Sequence, residues 1–286
     1  MDNPSGIVFL HGKLIPAEKA CVSVFDRGFL FADGVYEVIP VYAGKLFHLA
    51  AHLKRLAQSL AAIQLENPYD DVAWVKILES LISKNGGGDL SVYLQVTRGI
   101  ATRDHAFPAE SCSTVFAMAN PLKPVAEDIL QEGVSAITLA DNRWLRCDIK
   151  SIALLGNVLL RQRAVEADAT EAILIRDGLV TEGAASNFFM VQNNEIITPP
   201  KSCLILPGIS RDVVLELATK CGFNSRESDV TEQMLHQADE IWLTSSTKAV
   251  LPVTKLDGVA VGSGKPGETW KKMHDCFQQQ IDRLRD

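Results

Sequence analysis

One lysine stands alone in the middle of the chain. Lys150 lies in RCDIKSIALLGN (146–157), a run that otherwise reads as buried, and no other lysine occurs between Lys123 and Lys201. Two chemistries fit such a residue. Its stem can pack on apolar surface while the ammonium reaches water, or the amine can be kept from water and serve as nucleophile or base. Lys150 by itself does not separate them.

Other residues carry chemistry of their own. Pro207-Gly208-Ile209-Ser210 opens a helical pattern, so unpaired backbone N–H groups, the helix dipole and the Ser210 hydroxyl offer an anion site. Ser245 and Ser246, closing a strand-like run, add donors of the same kind. Glu182 in VTEGAASNFF follows a strand pattern and precedes two small alanines, where a carboxylate could receive a proton-bearing ring nitrogen. Arg103 and His105, two apart in a polar loop, point the same way if that loop is extended, and both suit a carboxylate partner. Each has an ordinary alternative: a helix cap, a strand-end charge in water, a mobile surface loop. Arg55 in HLKRL reads equally well as a solvated helix arginine. His48 and His52 stand at i, i+4, but HLAAH lacks the glutamate of a metalloprotease, so a helix surface is expected and no metal site.

The elements that must position these residues are legible in outline. GIVFLHGKLI and VYEVIPVYAGKLF read as strands, the second folded at Ala43-Gly44. AAHLKRLAQSLAAI is a helix with Leu53, Leu56, Leu60 and Ile63 on one face. DDVAWVKILESLISK is another, stopped by Asn85 and Gly86-Gly87-Gly88. LSVYLQVTRG and STVFAMAN are strands flanking the loop IATRDHAFPAES. Beyond NPLKPV, Lys150 is expected at the mouth of the helix IALLGNVLLRQRAVEA. EAILIRDG and LVTEGAASNFFMV meet at an Asp177-Gly178 turn, LPGISRDVVLELATKCG is helical, and EIWLTSS is a strand. These readings divide the chain into an N-terminal α/β domain over 1–119, a proline-bearing linker over 120–125, and a C-terminal domain over 126–286.

Composition bounds the function. At 286 residues the chain is comfortable for two cores. A net charge of −7 with no Lys/Arg block argues against a nucleic-acid surface. No apolar run approaches the ~20 residues of a membrane helix, and MDNPSGIVFLHG lacks a basic, apolar leader pattern. The six cysteines show no metal-binding spacing and are expected as free thiols in a reducing cytoplasm. There is no GxSxG elbow, Walker loop or GxGxxG after a strand.

Taken together, VFDRGFLFADGVYEV, HLKRL, DIKS, VTEGAASNFF, LPGISR, LTSSTKAVLPV and VGSGKPGETW, in this order across nearly the whole chain, resemble the fold-type IV enzymes that use pyridoxal 5′-phosphate. That group includes D-amino acid aminotransferases, branched-chain aminotransferases and 4-amino-4-deoxychorismate lyases. VTRGIATRDHAFP points to the D-amino acid branch. The resemblance implies an α/β (α+β type) fold of two domains with the cofactor in the cleft between them. It implies that Lys150 carries the cofactor as a Schiff base and shuttles the α-proton, and that Glu182 pairs with the pyridine nitrogen. It implies that Arg55 clamps the phosphate with Ile209, Ser210, Ser245 and Ser246, and that Leu206 packs behind the ring. Tyr36, Arg103 and His105 match the residues that trap the substrate carboxylate, the last two on a loop lent by the neighbouring subunit. A cytoplasmic homodimer with composite sites follows, as does ping-pong transfer from a D-amino acid to a 2-oxo acid. The chain departs from the family pattern at Ala184 and Ala185, where hydroxyl residues are frequent, leaving Ser186 and Asn187 to serve. Ser210 and Ser246 stand where threonines are common.

Overall fold

The computed structural model describes residues 6–110 and 112–285. Residues 1–5, which begin the stretch read for a leader, and Ser111 in the polar loop lie outside the described residues. The chain divides into two compact units: Met1–Leu122 with Ile149–Ala153 and Arg285, and Lys123–Asp148 with Leu154–Leu284 and Asp286. The Lys150 segment therefore groups with the first unit. No described helix is long and apolar enough to cross a membrane.

The first unit contains β1 (Ile7–Leu10), β2 (Lys13–Pro16), α1 (Arg27–Phe31), β3 (Gly34–Tyr42), β4 (Lys45–Leu46), α2 (Leu49–Ala62), α3 (Asp71–Lys84), β5 (Leu90–Thr97) and β6 (Thr114–Pro121). Its sheet runs β2-β1-β6-β5-β3-β4, antiparallel throughout. The β3–β4 hairpin turns on Ala43 and Gly44 at φ 48° and 81°, the left-handed pair that a two-residue turn requires. Val35, Ile39 and Val41 of β3 pack with Leu53, Leu56 and Leu60 of α2 and Trp74, Leu78 and Leu81 of α3 in one core. The apolar periodicity of both helices is thus spent on the sheet.

The second unit contains α4 (Glu127–Glu132), β7 (Val134–Ala140), α5 (Leu155–Glu166), β8 (Glu171–Arg176), β9 (Leu179–Gly183), β10 (Asn187–Gln192), β11 (Glu195–Thr198), α6 (Ile209–Lys220), β12 (Asn224–Glu227), α7 (Glu232–His236), β13 (Glu240–Ser245), β14 (Ala249–Leu256), β15 (Val259–Ala260) and α8 (Glu268–Arg285). Its sheet runs β12-β11-β10-β13-β14-β7-β8-β9, with β15 on β14. The β7–β8, β7–β14 and β11–β12 pairs are parallel, the rest antiparallel. The run LVTEGAASNFFMV is two strands, not one. It breaks where Gly183 N–H donates to the Ser186 carbonyl at 2.7 Å, so β9 stays on β8 while β10 joins β13. Cys221, just past α6, and Cys276 on α8 form a disulfide, against the expectation of six free thiols. Their separation of 55 residues carries no readable pairing signal.

Candidate active site

Successive residues of a strand face opposite sides, and in β3 the core side takes Val35, Glu37, Ile39 and Val41. Glu37 is 0% exposed. A carboxylate there is tolerable only if it is paired and fully hydrogen-bonded, and α2 supplies the partners. Arg55 Nε donates to Glu37 Oε1 at 2.8 Å and Nη2 to Oε2 at 2.7 Å, while His52 Nδ1 lies 2.7 Å from Oε2. Burial pushes the Glu37 carboxyl up, but the charge and hydrogen bonds of Arg55, with His52, outweigh it and hold the pKa at about 2. Burial, ahead of the opposing bond to Glu37, lowers the pKa of His52. The imidazole is then neutral, and because an ionised carboxylate only accepts, Nδ1 carries the proton. His52 is therefore buried, not on a helix surface as its spacing suggested: it turns inward with Arg55 toward a carboxylate invisible to local periodicity.

Ser59, on the same face of α2, accepts the Lys150 N–H at 3.2 Å. The Lys150 carbonyl accepts from Tyr36 N–H at 2.9 Å, and Ile152 N–H donates to the Gly34 carbonyl at 3.1 Å. Ser151 forms an antiparallel bridge with Val35. Lys150 thus sits on a strand-like segment beside the start of β3, and not at a helix mouth, since α5 begins only at Leu155. Gly34 permits the approach: a Cβ there would lie 2.6 Å from the Val96 carbonyl and 3.1 Å from Ile152. The Lys150 side chain is half-buried. Its Nζ lies 4.2 Å from the centroid of the Tyr36 ring, over the face that attracts cations.

The described residues around Arg103 and His105 form no helix or strand, and both side chains are exposed. Their common neighbour is Phe31, with Arg103 Cζ 5.3 Å and the His105 ring 5.2 Å from its centroid. Within the first unit the structure brings together Lys150 with Tyr36, Arg55 with Glu37 and His52, and Arg103 with His105.

In the second unit Glu182, on β9, is 4% exposed. Arg143 Nη1 donates to its Oε1 at 2.6 Å, and Asn187 Nδ2 and Leu206 N–H donate to Oε2 at 2.9 and 3.0 Å. Burial dominates and, over the opposing pull of Arg143, raises its pKa to about 7. Arg143 is itself held by Asp141, through Nε to Oδ1 and Nη2 to Oδ2, both at 2.9 Å. Asp141 also takes Thr181 Oγ1 at 2.9 Å and Arg176 Nη2 at 3.0 Å. Asn187 Nδ2 reaches the Leu206 carbonyl at 2.8 Å as well, tying Glu182 to the approach of α6. Gly208 makes room for this amide, since a Cβ there would lie 1.9 Å from Asn187 Oδ1.

Helix α6 begins after Gly208 with no side-chain cap, with Ile209 and Ser210 buried in its first turn. Leu206, Ser245 and Ser246 are half-buried, and the buried Thr244 hydroxyl has no hydrogen-bond partner among the described residues. An uncapped helix start is a natural seat for a phosphate. Ala184 is buried and Ala185 exposed, while Ser186 Oγ donates to Glu171 at 3.0 Å. Glu37, Asp141, Arg143 and Asn187 were not singled out for these roles in the sequence. Glu37 had a signal, a charged residue at an inward position of an alternating strand; the others had none.

The sequence profile of the family described as amino-transferase class IV matches residues 34–256. The D-alanine aminotransferase of Bacillus licheniformis is 46% identical over 275 residues, 96% of each chain. That of Staphylococcus haemolyticus is 38% identical over 275 residues, 96% of this chain and 98% of its own. Among solved structures, a branched-chain amino acid aminotransferase of Escherichia coli superposes with a TM-score of 0.92 at 23% identity, covering 99% of this chain and 97% of that one, a likeness of fold. With a profile match across most of its length and whole-length relatives at this identity, the chain belongs to the class IV aminotransferases.

Proposed function

We propose that this chain moves an amino group from a D-amino acid such as D-alanine to a 2-oxo acid such as 2-oxoglutarate, by a ping-pong mechanism with pyridoxal 5′-phosphate. The observation that carries the reading is identity of 46% along 96% of the chain to a D-alanine aminotransferase. The residues fit the cofactor. There is a primary amine at Lys150, a buried carboxyl at Glu182 able to share a ring proton near neutral pH, and an uncapped helix start for a phosphate.

When bound, the cofactor supplies a carbonyl that condenses with amines and a ring that accepts the electrons released at the substrate α-carbon. Lys150 would hold it through Nζ and, as a free amine, would move the proton on and off the substrate α-carbon. Glu182 keeps the ring nitrogen protonated, and Arg143 and Asn187 hold that carboxylate in place. Arg55, Ser210, Ser245, Ser246 and the α6 N–H groups including Ile209 would hold the phosphate, and Leu206 would pack against the ring. Tyr36, Arg103 and His105 orient the substrate carboxylate and so select its hand.

The enzyme works as a cytoplasmic homodimer in which the Arg103 loop serves the partner subunit's site. Apolar side chains left in water support that assembly. Phe29 is 74% exposed in the first unit, and Leu155, Val158 and Leu159 form an exposed stripe at helical spacing on α5 in the second. The branched-chain likeness shows fold alone and favours no second substrate class. The test is to offer D- and L-alanine, and D- and L-leucine, with 2-oxoglutarate. Faster turnover of the D-enantiomers is expected; faster L-leucine would move the protein to the branched-chain group.

A further inference from the structure

An irregular loop that must present two cations needs something to hold its backbone. Arg27, the first residue of α1, is 3% exposed, and its guanidinium faces the loop. Nη1 donates to the carbonyls of Asp104 at 2.6 Å and Ala106 at 3.3 Å, and Nη2 to that of His105 at 3.4 Å. Nε is held by Asp33 Oδ2 at 2.8 Å. Asp33 takes a second arginine too: Arg98 donates to Oδ2 at 2.8 Å and Oδ1 at 3.1 Å. Arg98 is anchored on its far side by the carbonyls of Ile63 and Gln64, at 2.7 and 3.1 Å, and its Cζ lies 3.7 Å from the centroid of Phe107.

One carboxylate thus fixes two buried guanidinium planes, and each plane holds part of the loop. The first takes three consecutive carbonyls; the second takes the ring that follows them. The loop's root is fixed as well, by Arg27 N–H on the Gly99 carbonyl at 2.8 Å and a bridge between Asp26 and Ile100. Phe31, on which Arg103 and His105 both rest, ends the same helix that Arg27 begins, and Arg27 Cζ lies 4.9 Å from its centroid. Only a planar fork of donors spans Asp33 and three carbonyls at once; an ammonium is a point charge.

We propose that Arg27 is a positioning residue for substrate selection: clamped by Asp33, it fixes the backbone from Asp104 to Ala106 and thereby the placement of Arg103 and His105. The proposal rests on the reading above that these two residues receive the substrate carboxylate. The experiment compares Arg27→Lys and Arg103→Ala holoenzymes by hydrogen exchange over residues 99–110 and by steady-state kinetics. In Arg27→Lys, exchange in the loop rises about tenfold or more while that of α2 and β5 stays unchanged. KM for D-alanine and for 2-oxoglutarate rises roughly 10- to 100-fold with a much smaller change in kcat. Arg103→Ala raises both KM values with loop exchange at the wild-type rate. Wild-type loop exchange in Arg27→Lys would overturn the proposal, and so would faster exchange with unchanged KM. Unchanged KM in Arg103→Ala would instead remove the carboxylate reading, whatever the loop does. Should Arg27→Lys fail to fold, Phe107→Ala removes the loop's ring from Arg98 and leaves every hydrogen bond of Asp33 and Arg27 in place: faster loop exchange with raised KM supports the proposal, and faster loop exchange with unchanged KM, or no change in either, overturns it.

Discussion

Glu37 grips Arg55 by two parallel hydrogen bonds, 2.8 Å from Nε to Oε1 and 2.7 Å from Nη2 to Oε2, at a site closed to water. A bidentate pair fixes the guanidinium plane as well as its place. The cofactor's phosphate, under the function proposed, therefore meets an arginine whose orientation is already set. Glu37→Gln keeps the shape and removes the negative charge that faces the buried Arg55. Loss of stability on the order of 3–5 kcal/mol is expected, with weaker retention of pyridoxal phosphate on dilution. The pH dependence has a definite sign. A carboxyl held at about 2 in the folded chain contributes stability that is present above its ordinary value near 4.5 and lost as pH falls toward 2. Urea midpoints measured from pH 6 to pH 2 should fall more steeply in the wild type than in Glu37→Gln. Parallel curves would remove the ion pair from the stability of this unit.

Glu182 behaves in the opposite sense. Burial raises its pKa from the ordinary 4.5 to about 7, so the contribution of this group to the cofactor-free protein is present below 4.5 and lost as pH rises through 7. Glu182→Gln removes that dependence, which urea midpoints of the cofactor-free protein between pH 4.5 and 8 will read. In the holoenzyme the amide leaves the ring nitrogen largely unprotonated, and kcat should fall by about 10²-fold or more, with a smaller effect on KM. Near-wild-type kcat would take Glu182 out of the reaction.

Lys150 is placed by its backbone as much as by its side chain, through Ser59, Tyr36 and the neighbouring Ser151–Val35 bridge. Borohydride treatment of the holoenzyme should fix the cofactor on Lys150 alone, found as a mass shift on one peptide. Lys150→Ala should lose both that label and transamination. A label on another lysine would dislodge the central assignment.

How much of this was legible depended on distance along the chain. Helices α2 and α3 were readable because Leu53, Leu56 and Leu60, and the stop at Asn85 and its following glycines, are local signals. Helix α8 carries a signal of the same local kind, with Trp270, Met273, Phe277 and Ile281 buried at helical spacing. The split of β9 from β10 was hidden because Ala184 and Ala185 are neutral toward strand and turn. The ion clusters were beyond reach for a different reason. Asp33 finds Arg98 across 65 residues and Arg143 finds Glu182 across 39, and no periodicity encodes such a partner. Motif resemblance named residues expected to touch a cofactor; the groups that hold those residues still came only with the fold.

The proposed homodimer makes a claim that mixing can decide. Arg103 and His105 are exposed on a loop whose backbone is held within its own chain, so their side chains, resting on Phe31, stay open to a neighbouring copy. If Lys150 acts in one subunit's site and Arg103 reaches into the partner's, Lys150→Ala and Arg103→Ala damage different chains of the same site. Each variant alone is inactive or strongly impaired. In a mixed dimer, one site collects both lesions and the other collects none. After subunit exchange of an equal mixture, half the dimers are mixed and each carries one intact site, so activity should approach roughly a quarter of wild type. Exchange is verified by tagging one variant and recovering the other with it. If Arg103 instead serves its own subunit, every site in the mixture keeps one lesion, and verified exchange restores nothing.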